Sequence, residues 1–250
     1  MPKGSRGGRR SSGGNSNSSS NSNNVTQGNS LSGGGGGGFT IMSDADAQQI
    51  RDDVDHMYSP SVRDAIKQYI ANDTKNTGKA YSMSQTLNHK LNNGLALDAN
   101  EQYMVKYMQK GMHDIGKDVV LTRGCHEDFL QGLGISNYGN MSESQLKSKL
   151  VGTEFKTKSF SSFSYDTSKN PFLGGSQSGG REVIIKQNTK SGTKVVFGAK
   201  SQSEIITNIG TESKITNVYF AKDSSGNTKM ANPRASMKSK PVIIIETTTK

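Results

Sequence analysis

Apolar residues recur at helical spacing in the first half of this chain and in short β runs in the second. From Phe39 to about Asp118 the pattern is helical. Val62, Ile66, Tyr69 and Ile70 fall on one stripe behind Pro60, which suits the first turn of a helix capped by Ser59. A further helix is predicted from about Lys79 to Asn93, with Tyr81, Leu87 and Leu91 inward and Gly94 as its stop. Another starts at Asp98, where Glu101 completes a capping box, and carries Tyr103, Val105, Tyr107, Met108 and Met112 up to Gly116. After Asp118 the pattern changes to Val119-Val120-Leu121, Glu182 to Lys186, Lys194 to Phe197, Ile215 to Ala221 and Val242 to Thr247, with one helix, Ser142 to Leu150, between them. Helices first and antiparallel-looking strands second predict an α+β fold rather than alternating βαβ units.

Composition sets the domain boundary. Residues 1–38 hold 12 Gly, 10 Ser and 6 Asn, no acidic residue and almost nothing apolar. Such a segment cannot offset its ordering entropy by burial and is expected to be a disordered tail. Residues 39–250 are long enough for one domain, read as a helical lobe over 39–118 and a β core over 119–250. The chain carries a net charge of +10, four of its basic residues lying in the tail. That balance suits an anionic partner, whether dinucleotide, nucleic acid or acidic protein, and also suits a plain basic soluble protein. No stretch is long and apolar enough to span a bilayer, and no apolar segment follows the N-terminal charges as a secretory signal would require. The single cysteine, Cys125, excludes an internal disulfide, and four scattered histidines show no ligand spacing, so no metal is expected. Neither strand nor βαβ unit surrounds the glycine run 33–38, so it is not a dinucleotide fingerprint.

Three short pieces carry the candidate chemistry: Leu121-Thr122-Arg123-Gly124, Phe160-Ser161-Ser162-Phe163-Ser164 and Gln202-Ser203-Glu204. Each is common alone. In this order, with 39 residues from Arg123 to Ser162 and 40 from Ser162 to Gln202, they resemble the mono-ADP-ribosyltransferases. The likeness is to the bacterial exoenzyme clade that splits NAD with an Arg, a Ser-Thr-Ser and a final Glu, and here Phe163 stands in place of the threonine. A Tyr-containing helix with an Asn, Tyr81 to Leu91, extends the resemblance upstream.

The resemblance implies an N-terminal helical lobe over two roughly perpendicular antiparallel sheets, with NAD consumed as a substrate in the cleft between them. It implies that Glu204 faces the ribose as the nicotinamide leaves, that Ser162 orients Glu204 and lines the nicotinamide pocket, and that Ser164, also counted in the NAD site, supports the strand end. Arg123, with Gly124 beside it, would clamp phosphate, and Arg181, closing the Gly- and Ser-rich segment after Asp166, would be a second phosphate contact. Gln202, where arginine-modifying members carry Glu, points to an asparagine or another non-arginine acceptor on a protein, as in Rho-modifying exoenzymes. Phe197 is expected to offer an aromatic contact to that protein. The reading is a toxin-like effector, expected to be a monomer and delivered outside its producing cell, in a phage particle or otherwise, or else acting in the cytoplasm. Two alternatives stay open: an NAD glycohydrolase with water as acceptor, and a non-catalytic protein whose basic tail attracts polyanions.

Overall fold

The computed structural model describes residues 38–71, 82–126, 129–136, 138–166, 182–230 and 240–250. In the first half, β1 (Thr40–Ile41) precedes four helices, α1 (Asp44–Asp55), α2 (Pro60–Ile70), α3 (Met83–Asn93) and α4 (Ala99–Gly111). Each starts where a side chain can satisfy its free N–H groups. Ser43, Ser59, Ser82 and Asp98 are the N-caps, and all but Ser59 form full capping boxes. Gly94 ends α3 in the left-handed conformation, as its position in the sequence predicts. The last helix stops at Gly111 rather than near Gly116, because Met112 turns extended and β2 (His113–Asp114) pairs with a strand of the core. Residues 79–81 of the predicted third helix, Tyr81 among them, lie outside the described residues.

The second half holds β3 (Val119–His126), α5 (Phe129–Gly132), α6 (Glu143–Leu150), β4 (Glu154–Lys156), β5 (Ser161–Ser164), β6 (Glu182–Thr189), β7 (Lys194–Phe197), β8 (Glu204–Thr207), β9 (Glu212–Phe220) and β10 (Ile243–Thr249). The strands join in the order β2-β7-β8-β5-β3-β6-β10-β9-β4, with β1 added beside β3. One link in this order is narrow. Strands β3 and β5 meet through a single pair, Thr122 opposite Ser164, whereas β3 and β6 pair over eight residues. The sheet therefore divides into two halves there, β2-β7-β8-β5 and β3-β6-β10-β9-β4. Pairing is antiparallel except between β1 and β3 and between β6 and β10.

Three of the four apolar clusters among the described residues hold the layers. Val195, Phe197 and Ile205 pack on one face of the first half with Ala47 and Val54 of α1 and with Leu121 and Ile185. Val196, Ile206 and Phe160 pack on the opposite face with Val62, Ile66, Tyr69, Leu87, Met104 and Met108 of α2 to α4. The short strands β7 and β8 are thus covered on both sides. Leu130, Leu146 and Leu150 of α5 and α6 cover Val183, Ile215, Val218, Ile243 and Ile245 of the second half. Fully burying one such side chain contributes on the order of 2–3 kcal/mol.

Candidate active site

The three strands that meet at the junction are those carrying the three sequence motifs. On β3, Thr122 is buried and its hydroxyl donates to the Ser164 carbonyl at 3.3 Å. The next residue, Arg123, is half-buried and faces Ile185 of β6. It does not end its strand, since β3 runs on to His126. It stands instead one residue past the single β3–β5 pair, where β3 continues with β6 alone. Among the described residues no hydrogen bond or ion pair engages its guanidinium. Gly124 follows, half-buried, opposite Ile184.

On β5, Ser162 lies opposite Ile206 and Ser164 lies opposite Glu204. Directly paired residues in an antiparallel ladder share a face, so Thr122, Ser164 and Glu204 form one row across β3, β5 and β8, with Ser162 two residues along it. Alternation sends Phe163 the other way, into the cluster with Leu121, Phe197 and Ile205, where it is 6% exposed. Phe163 therefore serves the core, while Ser162 and Ser164 share the other face of the strand.

Glu204 opens β8 and is half-buried. Its Oε2 accepts the Ala199 N–H at 2.8 Å, and its side chain folds over Gly198 so closely that a Cβ at 198 would come within 2.2 Å of Oε2. Only glycine leaves the carboxylate in that place. Between them, residues 200–202 form a 3-10 turn, and Ser203 is fully buried with φ 49°, the only non-glycine residue with positive φ among those described. Ser164 braces this turn. Its hydroxyl lies 2.6 Å from the Asp166 carbonyl and 3.1 Å from the Gln202 carbonyl, and accepts the Asp166 N–H. Ser164 is 3% exposed and its hydroxyl is taken up by backbone, a place that supports the strand end and the turn. Gln202 itself is half-exposed.

Two residues that the motifs do not contain converge on the same place. Tyr69 of α2 is buried, with its ring edge-on to Phe160 at 5.6 Å, and Asn88 of α3 donates to its hydroxyl at 2.8 Å. Burial pushes its phenol up to about 12, against the opposing influence of Asn88, the Arg123 charge and Ser162, while the Glu204 charge adds to the rise. Arg51 of α1 donates to the carbonyls of Gly198 at 3.1 Å and Glu204 at 3.4 Å and lies 4.7 Å over the Phe197 ring. Tyr69 shows in the sequence as one more apolar position of an amphipathic helix, and Arg51 as one of many charges on α1, so neither carries a motif. Phe197 corrects the expectation placed on it. It is 4% exposed, stacked on His113 and covered by Arg51, so it is core and not a surface offered to a protein. Arg181 lies outside the described residues. No group of three His, Cys, Asp or Glu suited to a metal occurs among the described residues.

The family model for the ADP-ribosyltransferase exoenzymes matches residues 44–238, from the first turn of α1 past β9. The chain belongs to that family. It is accordingly an NAD-dependent ADP-ribosyltransferase. No curated protein sequence matches it. Solved structures with the same fold are distant in sequence. The C3 exoenzyme of Clostridium limosum has TM-score 0.55 and 19% identity, over 85% of this chain and 98% of that one. An ADP-ribosyltransferase toxin from Paenibacillus larvae has TM-score 0.58 and 13% identity, over 85% and 99%. A structure from S. aureus, solved with NAD, has TM-score 0.55 and 17% identity, over 86% and 99%. The α+β fold with its helical lobe is that of these proteins.

Proposed function

We propose that the chain is a mono-ADP-ribosyltransferase whose cleavage of NAD runs on Arg123, Ser162 and Glu204, with Gln202 aligning a non-arginine side chain of a protein acceptor. The observation that carries this reading is the row of Thr122, Ser164 and Glu204 across β3, β5 and β8, which makes neighbours of motifs about 40 residues apart in the chain. Breaking the nicotinamide–ribose bond leaves positive charge on the ribose, as in glycoside cleavage. Glu204, held by the Ala199 N–H, presents a fixed carboxylate to that charge and to the ribose hydroxyl. Ser162 stands on its face of the sheet to orient it. Arg123, half-buried beside the junction, would clamp the pyrophosphate. Ser164 acts on the turn, and through it on Gln202, more than on NAD. Arg181 is retained as a second phosphate contact on sequence grounds.

Gln202 offers an amide at the open end of the turn, suited to pairing with another amide. A toxin-like effector that acts away from its producing cell fits this activity. The reading is tested by measuring nicotinamide release and label transfer in parallel for the parent and for Gln202→Ala and Gln202→Glu. Gln202→Ala should lose about tenfold or more in transfer while keeping most of its NAD hydrolysis, since water needs no such alignment. Gln202→Glu should gain detectable transfer to arginine analogues. Equal loss of both activities in Gln202→Ala would remove the acceptor assignment, and hydrolysis with no transfer in the parent would make the protein an NAD glycohydrolase.

A further inference from the structure

The hairpin that carries Gln202 and Glu204 leaves one backbone group outside its ladder. Gly198 N–H donates to the Glu204 carbonyl at 3.0 Å, but the reciprocal bond is not made, because Glu204 N–H turns to the Ala199 carbonyl at 3.2 Å. The Gly198 carbonyl is thereby orphaned directly beneath the Glu204 side chain. A carbonyl shielded from water in that position requires a donor from elsewhere. Arg51 supplies it. One guanidinium nitrogen donates to Gly198 and the other to Glu204, so the fork spans both ends of the turn. Its flat face rests on Phe197, the last residue of β7, which is backed in turn by His113.

The turn so held is strained. Ser203 is a fully buried non-glycine residue in the left-handed region, and its hydroxyl has no hydrogen-bond partner among the described residues. Such a conformation persists only where its surroundings over-determine it. Ser164 and the Tyr165 N–H, which donates to the Ser203 carbonyl at 3.1 Å, fix the turn from the β5 side. Arg51 fixes it from the helical side, and Lys200 adds a second tie to α1 by donating to Gln48 at 2.5 Å. The other end of the same segment is fastened to the strand of Arg123. Thr40 and Ile41 pair with Val119 and Val120, and Lys117 meets Asp46 at 2.8 Å. Residues 40–55 are therefore a strap running from β3 to the β7–β8 turn.

Resting on the assignment of Glu204 and Gln202 above, we propose that Arg51 is a positioning residue for ADP-ribosyl transfer: its guanidinium, spanning the Gly198 and Glu204 carbonyls, holds the turn in the conformation that aims Glu204 and Gln202. Lysine cannot replace it, since a single ammonium on a flexible stem does not present two parallel donors at a fixed spacing.

The test uses the full chain with Arg51→Met, which keeps the stem and removes the donors, and Arg51→Lys, which keeps the charge. Three quantities are read: hydrogen exchange at the Gly198, Ser203 and Glu204 amides without NAD, NAD affinity by calorimetry, and kcat for nicotinamide release at saturating NAD. In both variants exchange at these amides should rise about tenfold or more and kcat should fall about tenfold or more, the scale of a lost charge-assisted hydrogen bond, while NAD affinity changes less than about threefold. Unchanged exchange in both would overturn the proposal. So would weakened NAD binding with kcat intact, restored by lysine, which is the signature of a phosphate contact. If the methionine variant does not fold, the lysine variant decides by the same readings. Exchange needs no activity, so failure of the Glu204 assignment shows separately, as parental nicotinamide release by Glu204→Gln.

Discussion

Glu204 occupies its place because of what stands at 198. A Cβ there would meet Oε2, Cδ and Cγ of Glu204 and, among its three nearest atoms, no backbone, so a swing of that one side chain relieves the contact and Gly198→Ala should cost little stability. It would nonetheless push the carboxylate away from the Ala199 N–H that holds it. A displacement on the order of 1 Å at a reacting group can cost about a hundredfold in rate. Gly198→Ala should therefore melt near the parent temperature in a calorimetric scan and release nicotinamide at least about tenfold more slowly. Parental activity in that variant would show that the close approach has no catalytic consequence. At this scale the sequence is an uneven guide. Arg123, Ser162 and Glu204, the residues proposed to act on NAD, stand out in the sequence because such chemistry confines which residue types can serve it. Phe197 misleads, because an aromatic beside a polar turn looks the same in sequence whether it faces outward or, as here, lies under an arginine from a helix 146 residues earlier. Ser203 gives no signal at all, since positive φ in a serine is imposed by the bonds on either side of it.

Among the elements, long periodic helices announce themselves and short strands do not. The fourth helix begins at the predicted Asp98 cap, and α6 follows Ser142 as its spacing requires. Strand β7 matches Lys194 to Phe197 residue for residue. By contrast β5 has one apolar residue in four, Phe163, and reads as a serine-rich turn. It is a strand because β3 and β8 supply partners on both edges, a tertiary effect that propensity does not contain. The edge strand β2 is equally silent in sequence, yet it places His113 against Phe197, with Nδ1 3.1 Å from the Tyr58 hydroxyl. Burial lowers the His113 pKa below its ordinary 6.5, opposed by the Gly111 carbonyl and by Asp114 and Asp55, and aided by Lys194. A histidine depressed in the folded state contributes stability that is present above the unfolded value and lost as pH falls toward the folded one. The melting temperature of the parent should accordingly decline as pH falls below about 6.5, and His113→Phe should flatten that part of the profile. An unchanged slope in the variant would show that other groups govern acid sensitivity.

On the scale of the whole molecule, the proposed site lies where two sheet halves join at one residue pair, and residues 40–55 contact both β3 and the β7–β8 turn. The boundary read at residue 38 from composition falls two residues before β1. Deleting residues 1–38 should leave melting temperature and NAD cleavage near parental values, because a segment without apolar anchors has nothing to pack. Extending the deletion through residue 56 removes β1, α1 and Arg51, and should abolish both. A large loss on the shorter deletion would contradict the boundary. The α+β layout and the family were legible from helix spacing and three motifs, whereas the narrow β3–β5 junction, which makes those motifs neighbours, exists only in the assembled sheet. The central claim is that Glu204 at this junction stabilises the charge that develops on the ribose. Glu204→Gln keeps shape and hydrogen bonding and removes only that charge. Nicotinamide release at saturating NAD should fall by about a hundredfold or more, with NAD affinity changed far less. Release at the parental rate would contradict the account.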